Sequence, residues 1–292
     1  MKIIVGLPAY NEEGKIATII MKLKDIADGI IVCNDGSSDL TGQIAKELGV
    51  IVVDHTKNLG YGAAIKSIFQ RFLETDGDVL VTIDADGQHQ VEDIQNIVKP
   101  IMDDKADLVI GSRFTETNIT NIPRYRKLGI SAITKITNIS TKQKITDSQS
   151  GFRAYKREII LQTSLTETGM AASTEILIKA DRKNFRITEV GITVEYPEDS
   201  STHNPISHGT SVFVKTLQFA AIQHPLKFFG VPGVFFLIFG LGFIIWTIQL
   251  YTESKQVITN VALIGLSSTI FGVLLLMTSI LLYCVVVLIK ER

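Results

Sequence analysis

The residues best equipped for chemistry are two aspartates one residue apart, in Val79-Leu80-Val81-Thr82-Ile83-Asp84-Ala85-Asp86-Gly87-Gln88-His89. The apolar, β-branched run ahead of them reads as a buried strand. On an extended backbone positions i and i+2 face the same side, so Asp84 and Asp86 converge beyond the strand's carboxyl end. Two carboxylates in one crevice repel and call for a cation between them. Gly87 permits a sharp turn, and Gln88 offers a neutral oxygen to the same ion. Oxygen ligands of this kind suit Mg²⁺ or Mn²⁺, which also keep waters and substrate phosphates. The plainer reading of the segment is a strand followed by an ordinary Asp-Gly turn.

The flanking segments alternate strand and helix patterns. Lys2 to Leu7 reads as a strand, Pro8-Ala9-Tyr10-Asn11-Glu12-Glu13 follows, and Ile16, Ile19, Ile20 and Leu23 recur at helical spacing. Pro8 ends the strand, Asn11 is placed to cap the helix, and a helix start there is a ready anion site. Gly29 to Cys33 is a second strand ending in Asn34-Asp35-Gly36-Ser37-Ser38-Asp39, with Ser38 or Asp39 capping a helix to Leu48. Val50 to Val53 is a third strand, and Asn58-Leu59-Gly60-Tyr61-Gly62 leads to a helix ending near Phe72. No Gly-Lys-Ser/Thr follows these glycines, and the dinucleotide glycine pattern is missing after the first strand. A P-loop or simple NAD site is disfavoured. The aspartate strand is fourth, and Asp107 to Arg113 is a fifth that ends in a cation. These alternations predict an α/β, Rossmann-like, mostly parallel sheet with right-handed crossovers.

Farther on, Leu128, Ile130, Ile133 and Ile136 recur among Arg124, Arg126, Lys127 and Lys135. That pattern predicts an amphipathic helix with a basic face, suited to a membrane surface or to the surface of a soluble domain. Asp147-Ser148-Gln149-Ser150-Gly151-Phe152-Arg153 gathers polar groups ahead of a short strand. Thr174 to Ala180 reads as helix, Phe185 to Val194 as strand, and the polar stretch from Tyr196 to His208 as a loop.

The 292-residue chain carries a net charge of −1, which gives no case for nucleic acid. Its mean hydropathy of +0.26 is concentrated beyond His224. Phe228 to Leu250 and Val261 to Ile289 hold no charge, and each clears the roughly 20 residues that cross a hydrocarbon core. Their short polar link makes a transmembrane hairpin in a lipid bilayer. Lys227, Lys290 and Arg292 put the catalytic part and the C-terminus on the cytoplasmic side of the cell membrane. Neither span has an ionisable residue at its middle, which disfavours transport. The two cysteines, Cys33 and Cys284, fit a reduced setting, and Met1-Lys2 leads straight into a strand with no signal peptide. The expected organisation is a cytoplasmic catalytic domain over 1–207 with an interface helix near 123–140, an amphipathic juxtamembrane helix over 208–227 and the hairpin over 228–292. Assembly into a homo-oligomer stays open.

Pro8-Ala9-Tyr10-Asn11-Glu12, Asn34-Asp35-Gly36-Ser37-Ser38-Asp39, Asp84-Ala85-Asp86-Gly87-Gln88, Gly111-Ser112-Arg113 and Ser150-Gly151-Phe152-Arg153 stand in one order and spacing. In this the chain resembles the family 2 glycosyltransferases of GT-A fold, above all polyprenyl-phosphate glycosyltransferases of the dolichyl-phosphate mannose synthase type. The resemblance implies a nucleotide-sugar donor and a dolichyl or other polyprenyl phosphate acceptor. It implies that Pro8, Tyr10, Asn11, Glu12 and Asp35 hold base and ribose, and that Asp84, Asp86 and Gln88 hold Mg²⁺ or Mn²⁺ on the diphosphate. Arg113 then lies near the donor phosphates and Arg126 meets the lipid phosphate, while Asp147 and Arg153 line the sugar and acceptor region. An acceptor that is already anionic needs no strong base, only positioning and a cationic guide. Displacement with inversion is expected.

Relatives carry an arginine shortly before a Gly-x-Ser-Lys near the second interface helix. Here Gly209-Thr210-Ser211 runs into Val212, and His208 is the candidate for that phosphate contact. Mannose from GDP-mannose is the first expectation for the sugar, with glucose or N-acetylglucosamine from a UDP-sugar behind it. Transfer to another lipid or a polysaccharide, and a non-catalytic membrane assembly subunit, are the other readings. The absence of Gln-x-x-Arg-Trp argues against a polysaccharide synthase, and intact Asp84, Asp86 and Gln88 argue against a dead site.

Overall fold

The computed structural model describes residues 1–115, 124–194, 224–256 and 258–290 and isolated positions between 214 and 221, excepting the side chains of 124–126, 128, 254 and 287–290. His208 and the juxtamembrane segment around it lie outside the described residues. The chain divides into two units, Met1–Thr216 and Leu217–Arg292.

The first unit opens with β1 (Ile3–Ala9), α1 (Glu13–Leu23), β2 (Gly29–Asn34), α2 (Thr41–Glu47), β3 (Ile51–Asp54) and α3 (Tyr61–Leu73). It continues through β4 (Val79–Thr82), α4 (Asp93–Met102), β5 (Leu108–Ser112), α5 (Arg124–Ser140) and β6 (Arg153–Lys156). Then come α6 (Arg157–Gln162), α7 (Ala172–Arg182) and β7 (Ile187–Gly191). The strands form one seven-stranded sheet in the order β3-β2-β1-β4-β6-β5-β7. The pairings are parallel except those of β6, which runs antiparallel between β4 and β5. The sequence reading foresaw a mostly parallel sheet but not this insertion. Its consequence is functional: a reversed strand brings the loop ahead of Arg153 to the edge where the parallel strands end.

Both faces of the sheet are covered, which is why its central strands read as continuous apolar runs. Val5, Leu7, Val79, Val81 and Val109 pack one way, against Ile16, Ile20 and Leu23 of α1 and Ile94, Ile97 and Val98 of α4. Ile4, Ile31, Leu80, Leu108 and Ile110 pack the other way, against Ile65, Ile68 and Phe72 of α3 and Ile176 and Leu177 of α7. In α5, Ile130, Ile133, Thr134 and Thr137 are buried, while Lys127 and Lys135 are exposed. The apolar stripe considered for a membrane surface is thus used, from Ile130 onward, by the first unit itself.

Two helix starts differ from expectation. Asn11 stands at φ 55° and does not cap α1; its Oδ1 instead accepts from the Ser38 N–H at 2.9 Å. The Glu12 and Glu13 N–H groups donate to Thr41 Oγ1 (2.8 Å) and Asp39 Oδ2 (3.1 Å), so this helix start is spent on the neighbouring loop rather than left to an anion. At α2 the N-cap position is Leu40, not Ser38 or Asp39; Asp39, one residue ahead of it, accepts from the Thr41 N–H at 3.0 Å.

The second unit holds a π-helical turn, Leu226–Gly230, then α8 (Val231–Ser254) and α9 (Thr259–Lys290), two helices long and apolar enough to cross a membrane. They pack closely because glycines face each other. A Cβ on Gly240 would collide with Thr269, and one on Gly272 would lie 2.6 Å from the Leu237 nitrogen.

Candidate active site

The crevice lies beyond the carboxyl ends of β1 and β4, adjacent parallel strands from which the strand order runs in opposite directions, to β2 one way and to β5 the other. Open α/β sheets bind ligands at such a switch point. Pro8 to Glu12 run off the end of β1, and Asp84, Asp86 and Gln88 follow the end of β4.

Asp84 and Asp86 are both partly exposed, and the Gln88 N–H closes the turn on Asp86 Oδ1 at 3.0 Å across Gly87, whose φ is 70°. Burial raises the Asp86 pKa, and the Asp84 charge raises it further. Burial likewise pushes Glu12 up to about 6; Lys15 opposes this, and Asp86, Asp39 and Asp84 add to it. Negative charge therefore accumulates where the β1 and β4 loops meet. Among the described residues no three acid, histidine or cysteine side chains form a self-sufficient metal cage. Two carboxylates with an adjacent amide suit a cation that takes its remaining ligands from phosphate and water. The donor set thus fits Mg²⁺ or Mn²⁺.

Asp84 is held from below. Thr82 Oγ1 donates to the Gly151 carbonyl at 2.7 Å, pinning the β6 loop to the end of β4. A Cβ on Gly151 would lie 2.8 Å from both Asp84 oxygens and 3.0 Å from the Tyr61 hydroxyl. The Tyr61 hydroxyl pKa is raised by burial and by Asp84, and its side chain hydrogen-bonds Ser173. His89 Nε2 lies 3.8 Å from Asp84 Oδ2, its ring packs against Phe152, and its buried Nδ1 has no partner among the described residues.

Arg113 grips Asp147 with two bonds, Nε to Oδ2 at 2.6 Å and Nη2 to Oδ1 at 2.8 Å. Asp147 is fully buried, and Glu189 holds its loop by accepting from the Thr146 and Asp147 N–H groups, each at 2.9 Å. Burial raises the Glu189 pKa, these bonds oppose the rise, and the Asp147 charge adds to it. Arg153, also buried, spends its guanidinium on the carbonyls of Ser150, Ser173 and Ser148 at 2.7–2.8 Å. Arg153 thus ties the loop to α7, and Arg113 and Asp147 engage each other. The Arg126 side chain lies outside the described residues.

Asp35 is buried and heavily engaged. Its Oδ1 accepts from His55 Nδ1 (2.6 Å) and the Leu59 N–H (2.9 Å), and its Oδ2 from the Gly60 N–H (2.8 Å). His55 Nε2 meets Ser67 Oγ at 2.8 Å and lies 3.6 Å from the buried Cys33 sulfur. Burial pushes the Cys33 thiol up to about 12, with Asp35 and Asp54 adding, so it stays protonated. The β2 loop sits directly on the β3 loop: a Cβ on Gly36 would strike the Lys57 and Asn58 backbone. Pro8 is partly buried, whereas Tyr10 and Asn11 are exposed beside this pair of loops.

Sequence reasoning passed over His55, Tyr61, His89, Glu175 and Glu189. Glu175 is fully buried and accepts from the Thr166 and Glu167 N–H groups at 2.9–3.1 Å. The chain beyond that point reaches α3 through the Ala63 N–H, which donates to the Thr168 carbonyl at 3.1 Å. An acid inside an otherwise apolar pattern, such as Glu175 beside Ile176 and Leu177, was the available signal.

The family described as glycosyl transferase family 2 matches residues 4–162. An uncharacterized protein of Methanocaldococcus jannaschii is 35% identical over 72% of this chain and 86% of its own length. The UDP-N-acetylglucosamine–dolichyl-phosphate N-acetylglucosaminyltransferase of Methanococcus voltae is 33% identical over 71% of this chain and 89% of its own. The crystal structure of glucosyl-3-phosphoglycerate synthase from Mycobacterium tuberculosis, with Mn²⁺, uridine-diphosphate and phosphoglyceric acid, superposes with a TM-score of 0.58 at 22% identity, covering 75% of this chain and 78% of that one. That likeness shows the GT-A fold.

Proposed function

The chain belongs to glycosyl transferase family 2, and from that premise we propose that it moves a hexose from a nucleotide sugar to a dolichyl or other polyprenyl phosphate, with inversion, on the cytoplasmic face of a membrane. The observation that carries the reading is the pair of carboxylates Asp84 and Asp86 at the switch point, both partly exposed, with Gly151 directly behind Asp84. Relatives whose names specify dolichyl- or polyprenyl-phosphate transfer support the acceptor class.

In this reading Asp84, Asp86 and the Gln88 amide hold a divalent cation, which, when bound, offsets the charge that builds on the departing nucleoside diphosphate. Glu12 adds negative potential to the same crevice. Asp35, with the β1 loop around Pro8, Tyr10 and Asn11, receives the base and ribose. Arg113, oriented by Asp147, presents positive charge toward the phosphates, and Arg153 keeps the Ser148–Ser150 loop in place beneath the sugar. Arg126 on α5 guides the lipid phosphate. That acceptor is already ionised, so catalysis consists of bringing it in line with the anomeric carbon and excluding water. Domain roles follow: residues 1–207 catalyse, 208–227 lie at the membrane surface, and the hairpin over 228–292 tethers the enzyme to the bilayer. Inversion of an α-linked donor gives a β-linked product.

Transfer of radiolabel from a panel of nucleotide sugars into polyprenyl phosphate tests this. Label should enter the lipid only with Mg²⁺ or Mn²⁺, be released by mild acid and be β-linked. Asp86→Ala should lower kcat by at least about a hundredfold with the fold intact. An α-linked product would refute inversion. Full transfer by folded Asp86→Ala would refute the metal assignment.

A further inference from the structure

Lys15 stands at the turn that carries the proposed metal ligands. It lies in the first turn of α1 and is exposed. A Cβ on Gly87 would meet Lys15 Cδ at 3.5 Å and, among the described residues, nothing else. Gly87 separates Asp86 from Gln88, so the lysine stem crosses the tip of that turn, and its ammonium, just beyond Cδ, stands at the rim. Glu12 and Asp86 fix the side. They come from the β1 and β4 loops; burial raises both pKa values, and the Lys15 charge opposes the rise in each. A cation felt from both loops lies over the crevice between them. Among the described residues the ammonium nevertheless forms no hydrogen bond or ion pair. Arg113, by contrast, shares its charge with the buried Asp147. Lysine carries a compact charge with three donors on a flexible stem. Here those donors face an anion that enters beside the metal.

Resting on the transferase reading above, we propose that Lys15 is a catalytic residue whose ammonium bonds the donor's diphosphate beside the metal turn and takes up part of the charge that grows there. In the displacement the bond from the anomeric carbon to the β-phosphate oxygen breaks, and its electron pair stays on that oxygen. An oxygen of the acceptor phosphate forms the new bond. No proton has to move, so Lys15 keeps its protons and acts by charge alone. The same charge works against a bare divalent ion. Two cations in one crevice repel, and the repulsion is relieved when a diphosphate lies between them. Lys15 therefore weakens binding of the free metal and strengthens binding of the diphosphate, and its removal should move the two affinities in opposite directions. A lysine that is merely solvated would move neither, and one that only supports the fold would weaken both.

Two binding measurements on the full chain in detergent test this. Electron paramagnetic resonance counts free Mn²⁺ as the ion is added without nucleotide, and isothermal titration at saturating Mn²⁺ follows UDP and GDP. Lys15→Met keeps a stem against Gly87 and removes the charge. It should bind Mn²⁺ alone about two- to fivefold tighter than the parent. It should bind the nucleoside diphosphate that the parent accepts at least about tenfold more weakly. Lys15→Arg keeps the charge and should stay near the parent in both. Thermal melts report folding, and Lys15→Gln repeats the comparison if Lys15→Met does not fold. Any result for the folded variant other than opposite shifts overturns the role of Lys15 and leaves the transferase reading standing. A parent that binds no Mn²⁺, with or without nucleotide, or neither nucleotide, overturns that reading and this proposal with it.

Discussion

At the scale of single residues, the candidate site depends on what was left out as much as on what is present. Gly151 is buried against the Asp84 carboxylate, with both oxygens 2.8 Å from where a Cβ would stand. The atoms that would have to yield are the far end of a side chain, so Gly151→Ala leaves the sheet unstrained and displaces the proposed metal ligand instead. The expected outcome is a loss of metal affinity of about 10- to 100-fold, the range found when a support behind a ligand is removed. Thermal stability should fall by no more than about 1 kcal/mol, because no backbone atom is struck. A Mn²⁺ titration of activity beside a thermal melt separates the two effects. Equal metal affinity in the variant would mean that Asp84 is free to move. Asp84 and Asp86 were legible in sequence because an apolar run closes on them, although β4 ends at Thr82 and an Asp-Gly turn, not an extended strand, carries Asp86. Glu189 was not: it holds N–H groups 42 and 43 residues away, and nothing along its own strand announces them. His55 likewise meets Asp35 across 20 residues, and only the packing of two loops brings them together.

At the scale of elements, the strands could be read because each is a short apolar run closed by a polar turn, and α1, α3 and α4 because their buried positions recur at helical spacing. For β6 a short strand was expected after the Asp147–Arg153 stretch, but not its antiparallel place between β4 and β5, which no periodicity along the chain encodes. Its placement is stabilised at the sheet's far edge, away from the site. There Asp107, at the start of β5, accepts from the Arg186 N–H and Nη2, each at 2.8 Å, and from Lys156 Nζ at 3.0 Å. Hydrogen bonds from Arg186 hold the Asp107 carboxyl well below the usual carboxylate range; partial burial opposes this, and Lys156 adds to the lowering. A depressed acid contributes stability above its unfolded pKa of about 3.9 and loses it as pH falls toward the folded value. Asp107→Asn should therefore cost about 1–2 kcal/mol at pH 7, a charge-assisted cluster at a partly exposed edge being worth no more. The gap between variant and parent should narrow as pH drops from about 4 toward 2. Chemical denaturation of both proteins at several pH values checks this, and a gap independent of pH would show that the lost interaction is not ionic.

At the scale of the whole molecule, the chain joins a doubly covered sheet to a hairpin in which the charged residues between Phe228 and Ile289, Glu253 and Lys255, stand at the tip. Lys255 closes α8 in the left-handed conformation (φ 54°), and its N–H donates to the Tyr251 carbonyl at 2.9 Å. The sheet's core is apolar and protected, whereas Phe235, Ile238, Leu274, Ile280 and Leu281 of the hairpin are more than half exposed. Such surface is tolerable only in contact with lipid or protein. Lys227 precedes the first span, Lys290 and Arg292 follow the second, and the tip carries Glu253 with Lys255. On the proposed orientation, the excess of cations at the outer ends would put both ends of the hairpin in the cytoplasm and the tip across the membrane. A cysteine at Gln256, in a background where Cys33 and Cys284 are replaced by serine, should react with a membrane-impermeant maleimide from the outside of intact cells. A cysteine at Lys66, an exposed position on α3, should react only after the membrane is opened. In sealed inside-out vesicles, transfer should proceed with nucleotide sugar added outside, because the proposed crevice and the donor then share one compartment. Labelling of the Lys66 cysteine in intact cells, or transfer that requires opened vesicles, would reverse the orientation and place the donor on the other face.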